Sequence, residues 1–145
     1  MPTLQTNTTL SEIAERLSAL DDFVICGHIN PDGDCLGSQL ALCHALRAMG
    51  KTAHCVLAKD DPIEANLMFL PGVDEIEVAS EYQGPISVFI AVDVPTVERI
   101  GLASGLQAKA SVRFTIDHHA TEGAMSEYNY VDPESPSASM LVWEV

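Results

Sequence analysis

The sequence predicts an α/β fold, a three-layer sandwich built on a mostly parallel sheet of about five strands. Three observations predict it. Apolar runs of strand length alternate with helical patterns along the chain. The run at residues 86–92 is apolar on both faces, as a central strand of a parallel sheet must be. The three clearest runs, closing at Cys26, Val92 and Ile116, each lead within a few residues into Asp and His. In a parallel sheet those carboxyl ends share one edge, where open α/β sheets bind ligands.

Taken in order, Thr9, Leu10, Ser11 and Glu12 spell a capping box, and Leu10, Ile13, Leu17 and Leu20 mark an amphipathic first helix. Residues 23–27 form the first buried strand, followed by an acidic loop in which Pro31 presets φ and Gly33 permits a positive φ. Leu36, Leu40, Cys43 and Leu46 carry a helix over residues 36–49, and Gly50 ends it. Residues 52–57 read as a second strand, completing a βαβ unit. Asp60, Asp61 and Pro62 open a short helix through Phe69, which Pro71 and Gly72 close, and residues 75–79 suit a short edge strand. The strand at 86–92 delivers Asp93, and Pro95 stops its ladder. Short helices are expected over 96–101, with Glu98 and Arg99, and over 102–110. Strands at 112–116 and 128–131 follow, and a last helix occupies 138–145. His44 and His54 belong to these elements as packing or surface residues.

Composition narrows the function. At 145 residues, 47% hydrophobic and 19% charged, the chain is one globular domain with a real core. No apolar run approaches the roughly 20 residues of a membrane span, and the polar start lacks a secretory signal. The expectation is a cytoplasmic protein with no membrane partner. Seven Lys and Arg stand against 21 Asp and Glu, a net charge of −14. Long nucleic acid is gripped by neutralising phosphates, so a long duplex is not expected as a ligand, whereas the acid excess suits cations. The four cysteines form no C-x-x-C pair, and three lie in apolar patterns, which argues against zinc and disulfides. Cys35 differs by lying in the acidic loop, where it is open to oxidation.

The chemistry concentrates at the three strand ends: His28, Asp32 and Asp34; Asp93; and Asp117, His118 and His119. Turn formation and helix capping could explain any one of them, but would have to be invoked three times, always at a carboxyl end. Mixed carboxylate and imidazole donors favour Mn²⁺, with Mg²⁺, Fe²⁺ or Co²⁺ as alternatives. So many donors, one able to bridge, suit a pair of ions that clamps a phosphoryl group.

The string HINPDGDCLGS (residues 28–38), Asp93, and IDHH (residues 116–119) resemble the motifs of the DHH phosphoesterases. The spelling is most similar to the branch with oligoribonuclease (nanoRNase) and 3′-phosphoadenosine 5′-phosphate phosphatase activities. Residues 129–139 also resemble the segment that follows the third motif. The resemblance implies His28, Asp32 and Asp93 around one metal, and Asp34, Asp93 and His118 around the second, with Asp93 bridging. It places His119 near the phosphate and Asp117 behind His118 or His119, orienting one of them. Arg99 would pair with phosphate, or else with Glu98 or another neighbouring acid, and Ser38 would satisfy the start of its helix. The implied activity is hydrolysis of phosphodiesters or phosphomonoesters on a short oligonucleotide or phosphorylated nucleotide. A cyclic-dinucleotide phosphodiesterase, a RecJ-like exonuclease or pyrophosphatase, and a non-catalytic metal- or nucleotide-binding module are the alternatives. The family's fourth motif and its C-terminal substrate-binding domain have no counterpart in residues 1–145. Those residues are therefore expected to be the N-terminal part of the catalytic domain, weak or inactive alone. A homodimer is compatible with this reading.

Overall fold

Six strands form one parallel sheet in the computed structural model, which describes residues 6–94, 96–119 and 125–145. They are β1 (Phe23–Cys26), β2 (Ala53–Leu57), β3 (Glu77–Val78), β4 (Val88–Val92), β5 (Val112–Asp117) and β6 (Tyr128–Val131). Their order is β3-β2-β1-β4-β5-β6. The chain therefore builds outward from β1 in one direction, then returns to β1's other side with β4. Between β1 and β4 the winding reverses, and outside the carboxyl ends at such a point open α/β sheets form their ligand crevice. Register fixes what meets there: Cys26 is level with Ala91, and Val92 with Ile116.

Side chains of the buried strands alternate between two apolar layers. Phe23, Ile25, Ile90, Phe114 and Ile116 face the layer of α1 (Leu10–Ser18), α2 (Gly33–Ala48) and α4 (Ala138–Glu144). Val24, Cys26, Phe89 and Ala91 face Ile100 and Leu106, from the 3₁₀ segment Val97–Ala103 and α3 (Ser104–Lys109). This is the expected three-layer sandwich, and the short edge strand expected at 75–79 is present as two residues paired with β2.

Several boundaries differ from the sequence reading. Helix α2 starts at Gly33, not Leu36, because Asp32 caps it by accepting the Cys35 N–H at 2.9 Å. Asp34 and Cys35 are thereby first-turn residues. The positive φ expected of Gly33 falls on Asn30, at 54°. Gly50 does end α2 at a φ of 81°. The expected helix at 60–69 is one 3₁₀ turn, Ala65–Leu67, whose preceding residue supplies no side-chain cap. The helix expected over 102–110 begins at Ser104, since Gly101 adopts φ 48°, ψ −118°. The Thr9 hydroxyl accepts from Glu12 N at 3.1 Å, while the Glu12 carboxylate turns to Arg16 at 3.1 Å. Pro95 lies outside the described residues. No described helix is long and apolar enough to cross a membrane.

Candidate metal centre

His28 owes its position to Gly27. A β-carbon on Gly27 would lie 2.0 Å from Cys35 Sγ, so only glycine lets the chain leave β1 beneath the first turn of α2. The His28 Nδ1–H donates to the Ile29 carbonyl at 2.7 Å. That bond fixes the ring and leaves Nε2 pointing at Asp93 Oδ2, 3.3 Å away, with Asp32 Oδ1 at 3.8 Å. A neutral imidazole with Nδ1 protonated presents a lone pair at Nε2, and so does the carboxylate opposite. Two lone pairs face each other unless a cation intervenes. With a proton as that cation, Asp93 first and Cys35 next hold the imidazole at about 11, against the opposing effect of burial.

Asp93 is the shared centre. It is 2% exposed and adopts a φ of 56°, a conformation costing a non-glycine residue about 1–3 kcal/mol. Its N–H still pairs with Ile116 O at 3.0 Å, so the turn out of the strand begins at this residue. The other carboxylate oxygen, Oδ1, meets His118 Nε2 at 2.9 Å and lies 3.9 Å from His119 Nδ1. Two donor groups converge on it: His28, Cys35 and Asp93, and Asp93, His118 and His119, each with ligand atoms within 4.8 Å of one another.

Asp34 joins from α2. His118 Nε2 lies 3.5 Å from its Oδ2. The same carboxylate accepts from Ala138 N at 3.0 Å, Ser139 N at 2.9 Å and Ser139 Oγ at 2.6 Å, capping α4. Burial raises the Asp34 carboxyl, but the Ser139 and Ala138 donors outweigh it and hold it below the usual carboxylate range. Behind the histidines, Asp117 is fully buried and Oδ1 accepts from His119 Nδ1 at 2.6 Å. Desolvation pushes its carboxyl up against that bond, and among the described residues Oδ2 has no hydrogen-bond partner. The pair leaves His119 Nε2 uncommitted to Asp117, with the His119 side chain 42% exposed.

Seven sequence-derived residues thus lie together: His28, Asp32, Asp34, Asp93, Asp117, His118 and His119. Asp32 is the loosest, with a side chain 66% exposed and one oxygen committed to capping α2. Arg99 contributes its backbone carbonyl, which accepts from Ile29 N at 2.8 Å, while the residue itself is exposed. Ser38 is buried and meets Ser139 Oγ at 3.1 Å instead of satisfying its own helix start. Cys35 is buried rather than open to oxidants, and desolvation raises its thiol, so it stands beside His28 protonated. Its place in the donor cluster was missed because the residue was assigned to the loop. The role of Ser139 was missed because no local pattern announces a contact across 105 residues.

The chain is 34% identical over 131 residues to the bifunctional oligoribonuclease and PAP phosphatase NrnA of Thermus thermophilus, covering 90% of this chain and 38% of that protein. It is 28% identical over 135 residues to the protein of that name from Bacillus subtilis, covering 93% and 41%. The chain therefore spans about two fifths of the length of these relatives. An exopolyphosphatase-related protein from Bacteroides fragilis superposes with a TM-score of 0.81 at 27% identity, over 92% of this chain and 41% of that one. The exonuclease RecJ, in a structure bound to manganese, shares the fold with a TM-score of 0.58 at 17% identity, over 99% of this chain and 39% of that one. Residues 22–145 match the DHH family, N-terminal domain, and the chain belongs to that family.

Proposed function

We propose that this crevice holds divalent cations, manganese foremost, and that the protein of which it is the centre hydrolyses phosphoester bonds of short oligonucleotides or nucleotides. The observation that carries the reading is the facing pair of His28 Nε2 and Asp93 Oδ2, with Nδ1 already committed to Ile29. The donor set is imidazole and carboxylate, which suits manganese, magnesium, iron(II) or cobalt. His28 and Asp32 with Asp93 would hold one ion, and Asp34 and His118 with Asp93 the second. The ions would supply charge neutralisation at the phosphoryl oxygens and an activated water.

The chain's own residues supply the rest. Asp117 keeps the His119 proton on Nδ1 and aims Nε2 outward. As an imidazolium, His119 donates from Nε2 to the departing oxygen; as a neutral ring, it accepts there. The Asp34 contact to α4 fixes one ligand to a helix rather than a loop, which preserves its geometry. The names of the Thermus and Bacillus relatives support an oligoribonucleotide or a 3′,5′-phosphorylated adenosine as substrate. By that likeness and by the site's chemistry, the activity is assigned to the whole protein of which residues 1–145 are a part.

The test is Mn²⁺ titration by calorimetry of residues 1–145 beside Asp93→Ala. Expected are two ions, or one tight and one weak, both lost in the variant. A non-catalytic binding module would show the same metal loss, so Mn²⁺-dependent phosphate release from adenosine 3′,5′-bisphosphate is measured in parallel. Unchanged Mn²⁺ binding in the variant would remove Asp93 from the centre and the reading with it.

A further inference from the structure

A second concavity lies on the same sheet edge, over β2 and β1 rather than β1 and β4. The loops leaving those strands enclose about 290 Å³, with Pro31, Leu57, Pro62 and Ile63 as apolar wall and Asn30 and Lys59 among the polar groups. We infer that this pocket is the nucleoside subsite of the metal centre, taking the uncharged base and sugar of a nucleotide whose phosphate lies between His28 and His118. The inference rests on the phosphoesterase reading above.

Size, charge and position each bear on it. The volume sits at the lower limit of small-molecule sites, enough for one nucleoside-sized group and too little for two nucleotides. Lys59 is paired with Asp61 at 3.1 Å, and Glu64 adds a further carboxylate, so the pocket has no surplus positive charge to hold a phosphate. Two prolines, a leucine and an isoleucine instead offer flat apolar surface, and the Asn30 amide both donates and accepts, as heterocycle edges require. Asn30 is two residues from His28, so their α-carbons are within about 7 Å. A ligand seated on Asn30 therefore has its phosphate within reach of the metal ligands.

The two walls are also held in fixed relation. The segment Val97–Ala103 bonds both loops: Ile29 N donates to Arg99 O at 2.8 Å, and Leu102 N donates to Ala58 O at 2.8 Å. Gly101 makes this possible at a φ of 48°, since a β-carbon there would lie 2.6 Å from Ala58 O. The pocket is thus preformed, and little ordering cost falls on the ligand.

The experiment uses residues 1–145 with ¹⁵N-labelled amides. Adenosine without metal should shift resonances of residues 29–30 and 57–64, and Ile63→Trp, which fills the pocket, should abolish the shifts. Asn30→Gly, which keeps the positive φ but removes the amide, should weaken them and serves if the tryptophan variant misfolds. In calorimetry with saturating Mn²⁺, AMP should bind at least tenfold tighter than inorganic phosphate. Ile63→Trp should erase that advantage and Asn30→Gly should reduce it, both leaving phosphate binding unchanged. No adenosine shifts at these residues, or an AMP advantage that survives both variants, overturns the subsite. Failure of Mn²⁺ and phosphate to bind overturns the metal reading instead, and the adenosine shifts still decide the pocket.

Discussion

Removing the Asp34 carboxylate should damage the fold and the metal centre together, and by separable amounts. Asp34→Ala deletes three accepted hydrogen bonds, from Ala138 N, Ser139 N and Ser139 Oγ. The first two donors are orphan N–H groups of the first turn of α4; Ser137 Oγ serves a third, Met140 N, at 3.2 Å. At about 1 kcal/mol for each bond the loss is about 3 kcal/mol, and the side chain, 21% exposed, is shielded enough that screening takes little of it. Relief of repulsion with Asp93 offsets part, so about 2–3 kcal/mol is expected, or a Tm lower by about 4–12 °C for a chain of this size. Asp34→Asn keeps an oxygen for Ser139 but turns an NH₂ toward the other donor, so it should recover about half. Neither variant should bind the second Mn²⁺ ion. Urea and thermal unfolding by circular dichroism give the first quantity, and Mn²⁺ calorimetry the second. An alanine variant within about 0.5 kcal/mol of wild type would refute the account of α4 docking. An asparagine variant with full two-ion binding would remove Asp34 from the centre.

Two further changes probe the frame of the site. Gly27→Ala forces a β-carbon against Cys35 Sγ, so it should cost about 1–3 kcal/mol in urea unfolding; Cys35→Ala in the same chain should return part of that, and additive costs would show the two do not touch. Asp21 accepts from Thr52 N at 2.7 Å and Asp22 N at 2.8 Å, in that order of influence, and its pKa is lowered. A depressed carboxyl contributes stability that is present above about pH 4, its unfolded value, and is lost as pH falls through the folded value. Asp21→Asn should therefore flatten the acid limb of the stability profile below about pH 4, and an unaltered limb would contradict the bond to Thr52.

The α/β class and the convergence of three strand ends were legible because both follow from apolar runs and from the parallel sheet they compel. Phe89, Ile90 and Ala91 are buried on alternate faces as a central strand demands, and Asp93 and His118 meet because β4 and β5 are neighbours. What the sequence did not disclose turns on competition between near-equal local choices. Asp32 and Asp34 are both able caps; the structure gives α2 to Asp32 and α4 to Asp34, which moves the helix start three residues earlier and lifts Cys35 out of the loop. Gly33 could have carried the positive φ, but as the first residue of α2 it does not, and the burden passes to Asn30, a residue type that tolerates it. The short helix at 60–69 failed for want of a cap, and Gly101 broke the one at 102–110. The six-strand order and its reversal between β1 and β4 depend on contacts between distant segments, to which periodicity is blind.

The strain at Asp93 links fold to chemistry. A carboxylate at the end of a buried strand could stay extended and face one helical layer, but there it would be desolvated without a partner, a cost of several kcal/mol. A φ of 56° costs less and turns the side chain into the crevice, where both oxygens meet imidazoles from neighbouring strands. The two oxygens face different histidines, one from each side of the winding reversal, so one residue ties the β1 loop to the β5 end. Each histidine is itself tied to a carboxylate or carbonyl: His28 to Ile29 O, and His118 to Asp34 and Asp93. Asp32, Asp34 and Asp93 around two imidazoles leave the centre negative even with one ring protonated. Replacing that proton with a divalent ion would reduce the excess without cancelling it, and would release His28 to bind as a neutral ligand.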